Sequence, residues 1–188
     1  MTKYKNKYRM ESTRLPNWDY GSNAAYFVTI CTKNRIHYFG EISNRGMKLS
    51  EIGKMAVKYW DEIPQHFPFV KLGAFVVMPD HVHGIVIIDK PDNKNNKNNV
   101  NVGAQNFASL RLNKNKFGPQ SKNLASIIRG YKIGVTKNAR KIKPGFAWQS
   151  RYHEHIIRNE ISYSKIENYI ITNPLKWFEN SNNMKSKK

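Results

Sequence analysis

His81 and His83 stand two residues apart inside Gly73–Ile88, a stretch in which two apolar runs flank Met78-Pro79-Asp80. In a β-strand, residues i and i+2 point to the same face. Both imidazoles therefore project together, at positions where an apolar side chain would ordinarily sit. Imidazole is the commonest protein metal ligand, and two side by side on rigid backbone make half of a metal site. Ligand chemistry alone points to zinc, copper or iron, because magnesium prefers oxygen donors. The same spacing also describes two histidines satisfied by ordinary hydrogen bonds. Because the pair opens the second run, it is expected at a strand end, where sites are commonly built.

Two further groups carry polar chemistry. Tyr169 and Asn173 are four residues apart on an expected helix and so share a face, beside an apolar stripe of Ile166 and Ile170. Side chains so placed are ordinarily boundary residues. His153 and His155 form a second His-x-His pair around Glu154. Tyr131 is another tyrosine on a basic helix, but its place in the stripe Leu124–Ile128–Val135 points to core packing.

The elements that position these residues follow from periodicity and punctuation. Ala25–Thr32 is β-branched and aromatic, a strand signal, and 35–42 is expected to pair with it as a hairpin. Ser50 caps a helix running to about Ile63, where Pro64 ends it. Two strands then surround the histidine pair. A helix is expected from a cap at Ser121 to about Ala139, then a strand over 145–158, then a last helix capped by Asn159 or Ser162 and stopped by Pro174. Mostly antiparallel strands interleaved with helices give an α+β fold, a ferredoxin-like or RRM-like antiparallel sheet with helices packed mainly on one face.

One domain is expected over 25–177, preceded by a basic arm over 1–24 and followed by a disordered basic tail over 178–188. Within it, 89–116 is rich in Asn and Lys and nearly empty of core residues, the composition of a flexible insertion.

With 32 Lys and Arg against 13 Asp and Glu, the chain of 188 residues carries a formal charge of +19. Such an excess calls for a polyanion, and nucleic acid is the leading one. No apolar stretch is long enough to span a bilayer, so no membrane partner is expected. Residues 1–10 are basic without a following apolar stretch, which does not make a secretory signal. Cys31 is the only cysteine, which excludes an internal disulfide and a cysteine zinc cluster and fits a reducing cytoplasm. Arg129 and Lys132 on the basic helix, with Arg151, His155 and Arg158 around the second histidine pair, are candidate DNA contacts. Tyr20, Tyr26, Phe27, Trp148 and Tyr152 are available for stacking on bases.

His81-Val82-His83 matches the His-hydrophobic-His (HUH) motif of single-strand DNA nucleases. The run Val76-Val77-Met78-Pro79-Asp80-His81-Val82-His83 resembles the REP-associated tyrosine transposases and their relatives in the single-tyrosine HUH transposase superfamily. Trp148-Gln149 leading to Tyr152–Arg158, and Tyr169–Lys176, agree with it in order and in type of element. The resemblance runs from about Tyr26 to Trp177, less the Asn-rich insertion.

The resemblance implies that His81 and His83 are ligands of a divalent metal, Mg²⁺ or Mn²⁺, with Asn173 as third ligand and Tyr169 as nucleophile. It implies cleavage of single-stranded DNA beside a hairpin, through a 5′-phosphotyrosine and a released 3′-OH, by a monomer or a homodimer. A phenol is a poor nucleophile at neutral pH until its proton is taken or a cation stabilises the phenolate. Two other readings remain open at this point. One is a non-catalytic basic nucleic-acid-binding domain; the other is a zinc-dependent hydrolase built on His81, His83 and His155.

Overall fold

The computed structural model describes residues 3–4, 7–8, 14–16, 18–43, 46–91 and 121–185. Most of the basic arm before residue 14, and the Asn- and Lys-rich stretch from 92 onward, lie outside the described residues.

Two short strands, β1 (Lys3–Tyr4) and β2 (Lys7–Tyr8), pair with each other. The main sheet is built from β3 (Ala24–Cys31), β6 (Val70–Met78), β7 (His81–Ile88) and β8 (His153–Ile157), in the order β6-β7-β3-β8 and antiparallel throughout. Between β3 and β6 come β4 (Gly40–Ser43), β5 (Gly46–Leu49), α1 (Glu51–Asp61) and α2 (Ile63–His66). Then α3 (Leu124–Ile142) precedes β8, and α4 (Glu160–Lys185) closes the chain.

The α+β class and the antiparallel sheet are those expected. One face carries Val28, Ile30, Val82 and Val86 against Ala56 and Trp60 of α1 and Leu124, Ile128 and Val135 of α3. On the other face, Ala25, Ile85 and Ile157 pack with Ile170 of α4, flanked by Phe27, Tyr163 and Ile166. Burial on both faces is why β7 reads as an unbroken apolar run around its histidines. Gly84 makes the close packing possible. A Cβ there would lie 2.3 Å from the indole of Trp60, which stacks on Phe75 at 4.4 Å.

Several local expectations give way to tertiary context. The segment 35–42 does not form a hairpin with β3, because β7 and β8 already occupy both edges of that strand. Instead Lys33–Arg35 makes a 3-10 turn, and β4 pairs with β5 as a separate two-stranded sheet. Pro64 sits in the first turn of α2, where a missing N–H costs nothing, so it opens a helix as well as following one. The cap of α3 is Asn123, whose side chain exchanges hydrogen bonds with Ser126 in a capping box, and not Ser121. Only residues 153–157 of the expected strand over 145–158 join the ladder. Upstream, Trp148 makes a single bridge to Thr32, and Arg151 turns the chain at φ 68°.

Pro174 does not stop α4, and helix continues to Lys185 where a disordered tail was expected from 178. A proline inside a helix removes one intrahelical hydrogen bond, a cost of about 3 kcal/mol. Packing on both sides of it offsets that cost: Ile170 is fully buried, and the ring of Trp177 lies 5.7 Å from His81.

Candidate metal and tyrosine centre

The register of β3 on β7 and β8 decides what surrounds the histidine pair. Cys31 lies opposite His81, Thr29 opposite His83, and Phe27 opposite Ile85. All of these point to the α4 face, as do His153 and His155, which lie opposite Thr29 and Phe27 on β8.

His81 and His83 are buried, with their Nε2 atoms 3.0 Å apart. Each ring has its other nitrogen held from outside. His81 Nδ1 meets Asp80 Oδ1 at 2.5 Å, and His83 Nδ1 meets Thr29 Oγ1 at 2.8 Å. An ionised carboxylate only accepts, so His81 carries a proton on Nδ1 and turns Nε2 inward, toward His83. The threonine hydroxyl either donates or accepts, so it suits both tautomers of His83. Burial, with the neighbouring charges of His81 and Arg35 added, pushes His83 down to about 3, and the ring stays neutral and able to ligate. Burial acts to raise Asp80, but the hydrogen bond from His81 and the charges of His81 and Arg35 outweigh it and hold the carboxyl below its ordinary range. Arg35 Nε contacts Asp80 Oδ2 at 2.7 Å.

The two Nε2 atoms lie 3.0 Å apart, so either a hydrogen bond from one ring to the other or one metal ion held by both satisfies the pair. The outer partners Asp80 and Thr29 are those that orient metal-bound imidazoles generally.

Tyr169 of α4 stands over this pair. Its hydroxyl is 3.5 Å from His83 Nε2, and its ring meets His83 and Phe27 edge-on at 5.4 and 6.0 Å. Phe27 in turn stacks on His83 at 5.4 Å. The tyrosine side remains open, with Tyr169 41% exposed. One turn on, Asn173 is buried, and one turn further Trp177 packs on His81. Asn173 thus sits on the helix face bounded by the two residues that touch the histidines.

The rival tyrosine is elsewhere. Tyr131 is buried on the α3 side of the sheet, donates its hydroxyl to Ala56 O at 3.2 Å and packs edge-on to Trp60. Burial raises its pKa strongly. The three-histidine hydrolase site does not assemble either. His155 lies opposite Phe27 rather than in the row of His83, and among the described residues no group of three His, Cys, Asp or Glu is placed to hold a metal ion.

The candidate DNA contacts divide. Arg129, Lys132 and Arg151 gather with Lys137, Ile133 and Tyr152 on a cleft of about 500 Å³ beside α3. Arg129 and Arg151 are exposed. Lys132 is committed to the fold, since its ammonium donates to the carbonyls of Gln149 and Arg151 at 2.8 Å each and burial pushes it down to about 8. His155 and Arg158 are exposed on and just after the edge strand β8. Of the aromatics proposed for stacking, Tyr20 and Tyr26 are core residues. Phe27 and Trp148 pack against the two cores, and Tyr152 lines the cleft.

Sequence reasoning did not find Thr29, Arg35 or Trp177, and it saw Asp80 only as part of a connection. Asp80 was legible in principle, as a carboxylate adjacent to a candidate ligand. Thr29 was not, because only strand register brings it to His83.

No family model matches the chain. It is 41% identical over 168 residues to an uncharacterized protein of Haemophilus influenzae, a stretch covering 88% of each chain. A second Haemophilus influenzae protein, named "Putative REP-associated tyrosine transposase", is 26% identical over 158 residues, 84% of this chain and 74% of that one. A solved structure of a REP-associated tyrosine transposase bound to a REP hairpin aligns with a TM-score of 0.55 at 22% identity, over 89% of this chain and 74% of that chain. At that identity the likeness speaks for the fold. Among the described residues, no helix is long and apolar enough to cross a membrane.

Proposed function

We propose that the chain is a REP-associated tyrosine transposase of the single-tyrosine HUH superfamily, a metal-dependent endonuclease and strand transferase acting on single-stranded DNA beside a hairpin. The observation that carries this reading is the tyrosine hydroxyl 3.5 Å from His83 Nε2, over a pair of inward-facing imidazole nitrogens. A boundary tyrosine has no need of that position. The charge of +19 and the hairpin bound by the structural relative support the choice of substrate.

Tyr169 Oη attacks the scissile phosphorus in line, the bond to the 3′-oxygen breaks, and a 5′-phosphotyrosine and a free 3′-OH result. A second 3′-OH then attacks the same phosphorus and returns the phenol. One phosphodiester forms for each one lost, so no external energy source is needed. His81, His83 and Asn173 hold a divalent cation, Mg²⁺ or Mn²⁺, which when bound supplies positive charge against the scissile phosphate. Phe27 fixes the His83 ring and Tyr169 from one side, and burial keeps the His83 imidazole neutral.

The test uses end-labelled single-stranded hairpin oligonucleotides drawn from DNA flanking the gene, with Mn²⁺ or Mg²⁺ and then with EDTA. A labelled protein–DNA band that survives denaturing electrophoresis, needs metal and disappears in Tyr169→Phe is expected. A band that persists in that variant overturns Tyr169 as nucleophile. Binding without any adduct favours a binding domain with a degenerate site.

A further inference from the structure

The turn after β3 is strained without a local reason. Asn34 and Arg35 both have φ 56°, the left-handed region that side chains other than glycine and asparagine avoid. Such outliers persist where the surroundings over-determine them, and they gather at sites. Here the surroundings are the Met78-Pro79-Asp80 connection. Thr32 N donates to Asp80 O at 2.9 Å, Phe39 N donates to Pro79 O at 3.0 Å, and Thr32 Oγ1 lies 3.0 Å from Asp80 O. On its other side the turn is tied down by Lys33 N donating to Ala147 O at 2.8 Å.

The strained conformation delivers one side chain. Arg35 folds back along the end of β3, its Nη1 donating to Cys31 Sγ at 2.7 Å and its Nε to Asp80 Oδ2 at 2.7 Å. The guanidinium is about half exposed, whereas the carboxylate it meets is 3% exposed. An exposed arginine pair contributes little to stability. This one is different in what lies behind it, because the other oxygen of Asp80 holds His81 Nδ1.

We propose that Arg35 is a positioning residue for the metal centre: acting through Asp80, it orients the carboxylate so that His81 keeps its proton on Nδ1 and presents a free Nε2 to a divalent cation. The inference rests on the metal-ligand role given to His81 above. Its direction is unusual for a cation close to a metal site. By charge alone, Arg35 repels a divalent ion and its removal would tighten binding; as a positioning residue, its removal weakens binding.

The experiment uses the full chain freed of metal with EDTA, without DNA. The tautomer of His81 is read by long-range ¹H–¹⁵N NMR, and Mn²⁺ affinity by electron paramagnetic resonance. In the wild type His81 is the Nδ1–H tautomer. Arg35→Ala is expected to populate the Nε2–H form and weaken Mn²⁺ binding about tenfold, while Arg35→Lys recovers most of the loss. In an Asp80→Ala background, adding Arg35→Ala changes affinity less than twofold, because the route is already cut. Should Asp80→Ala fail to fold, the Ala and Lys variants of the half-exposed Arg35 still decide the matter. Unchanged tautomer in Arg35→Ala, or tighter Mn²⁺ binding, overturns the proposal. A wild type that binds no Mn²⁺ overturns the metal assignment instead, and the tautomer comparison then judges Arg35 alone.

Discussion

Thr29 faces His83 across the β3–β7 ladder, and its hydroxyl meets His83 Nδ1 at 2.8 Å. The position has two demands on it, since the ring is buried and must be aimed. Thr29→Val keeps the shape and leaves Nδ1 without a partner, which costs about 1–3 kcal/mol when a buried group is stranded. Urea unfolding is expected to show that loss, and calorimetry about a tenfold weaker Mn²⁺ affinity. Thr29→Ser should recover the affinity. Wild-type affinity in Thr29→Val would mean that Phe27 alone aims the ring.

Tyr169 and Tyr131 should separate activity from stability. The hydroxyl of Tyr169 is on the open side of the site, so Tyr169→Phe should leave unfolding free energy within about 0.5 kcal/mol of wild type while abolishing the covalent adduct. Tyr131→Phe removes a buried hydrogen bond to Ala56 O and should cost about 1 kcal/mol with the adduct intact. An adduct lost in Tyr131→Phe at wild-type stability would contradict the assignment.

Gly84 follows His83 on β7, and its missing side chain is filled by Trp60. Gly84→Ala must push the indole off Phe75 or bend the strand, overpacking that costs about 1–3 kcal/mol. Thermal unfolding is the measurement, and an unchanged midpoint would show that Trp60 yields freely.

On the cleft beside α3, Arg129 and Lys132 should behave in opposite ways. Arg129→Ala is expected to reduce the salt dependence of single-stranded DNA binding by about 0.7 in slope, without affecting stability. Lys132→Met should destabilise the fold and alter the pH profile. The folded pKa of Lys132 is depressed to about 8 by burial, partly opposed by Cys31. The unfolded chain therefore holds this proton more tightly, and between roughly pH 8 and 10.5 the residue makes stability rise with pH. That rising component should vanish in Lys132→Met; its persistence would assign it to another group.

What the sequence determined by itself was local and periodic. The two-residue spacing put His81 and His83 on one face of a strand whatever it paired with, and the four-residue spacing put Tyr169 and Asn173 on one helix face. Ser50 as a cap and Tyr131 as a core residue followed from the same short-range rules. Tertiary structure decided which faces met. Nothing in α4 states that it lies on the sheet face opposite α1 and α3, yet that choice alone brings Tyr169 to His83. The partners Thr29 and Arg35 depend on strand register and on a turn displaced from β3 because both its edges were taken. Pro174, which reads as a stop, is carried within a helix because Ile170 and Trp177 anchor the turns before and after it. Periodicity is a property of neighbours in the chain, whereas register and face are settled by burial among residues far apart in it.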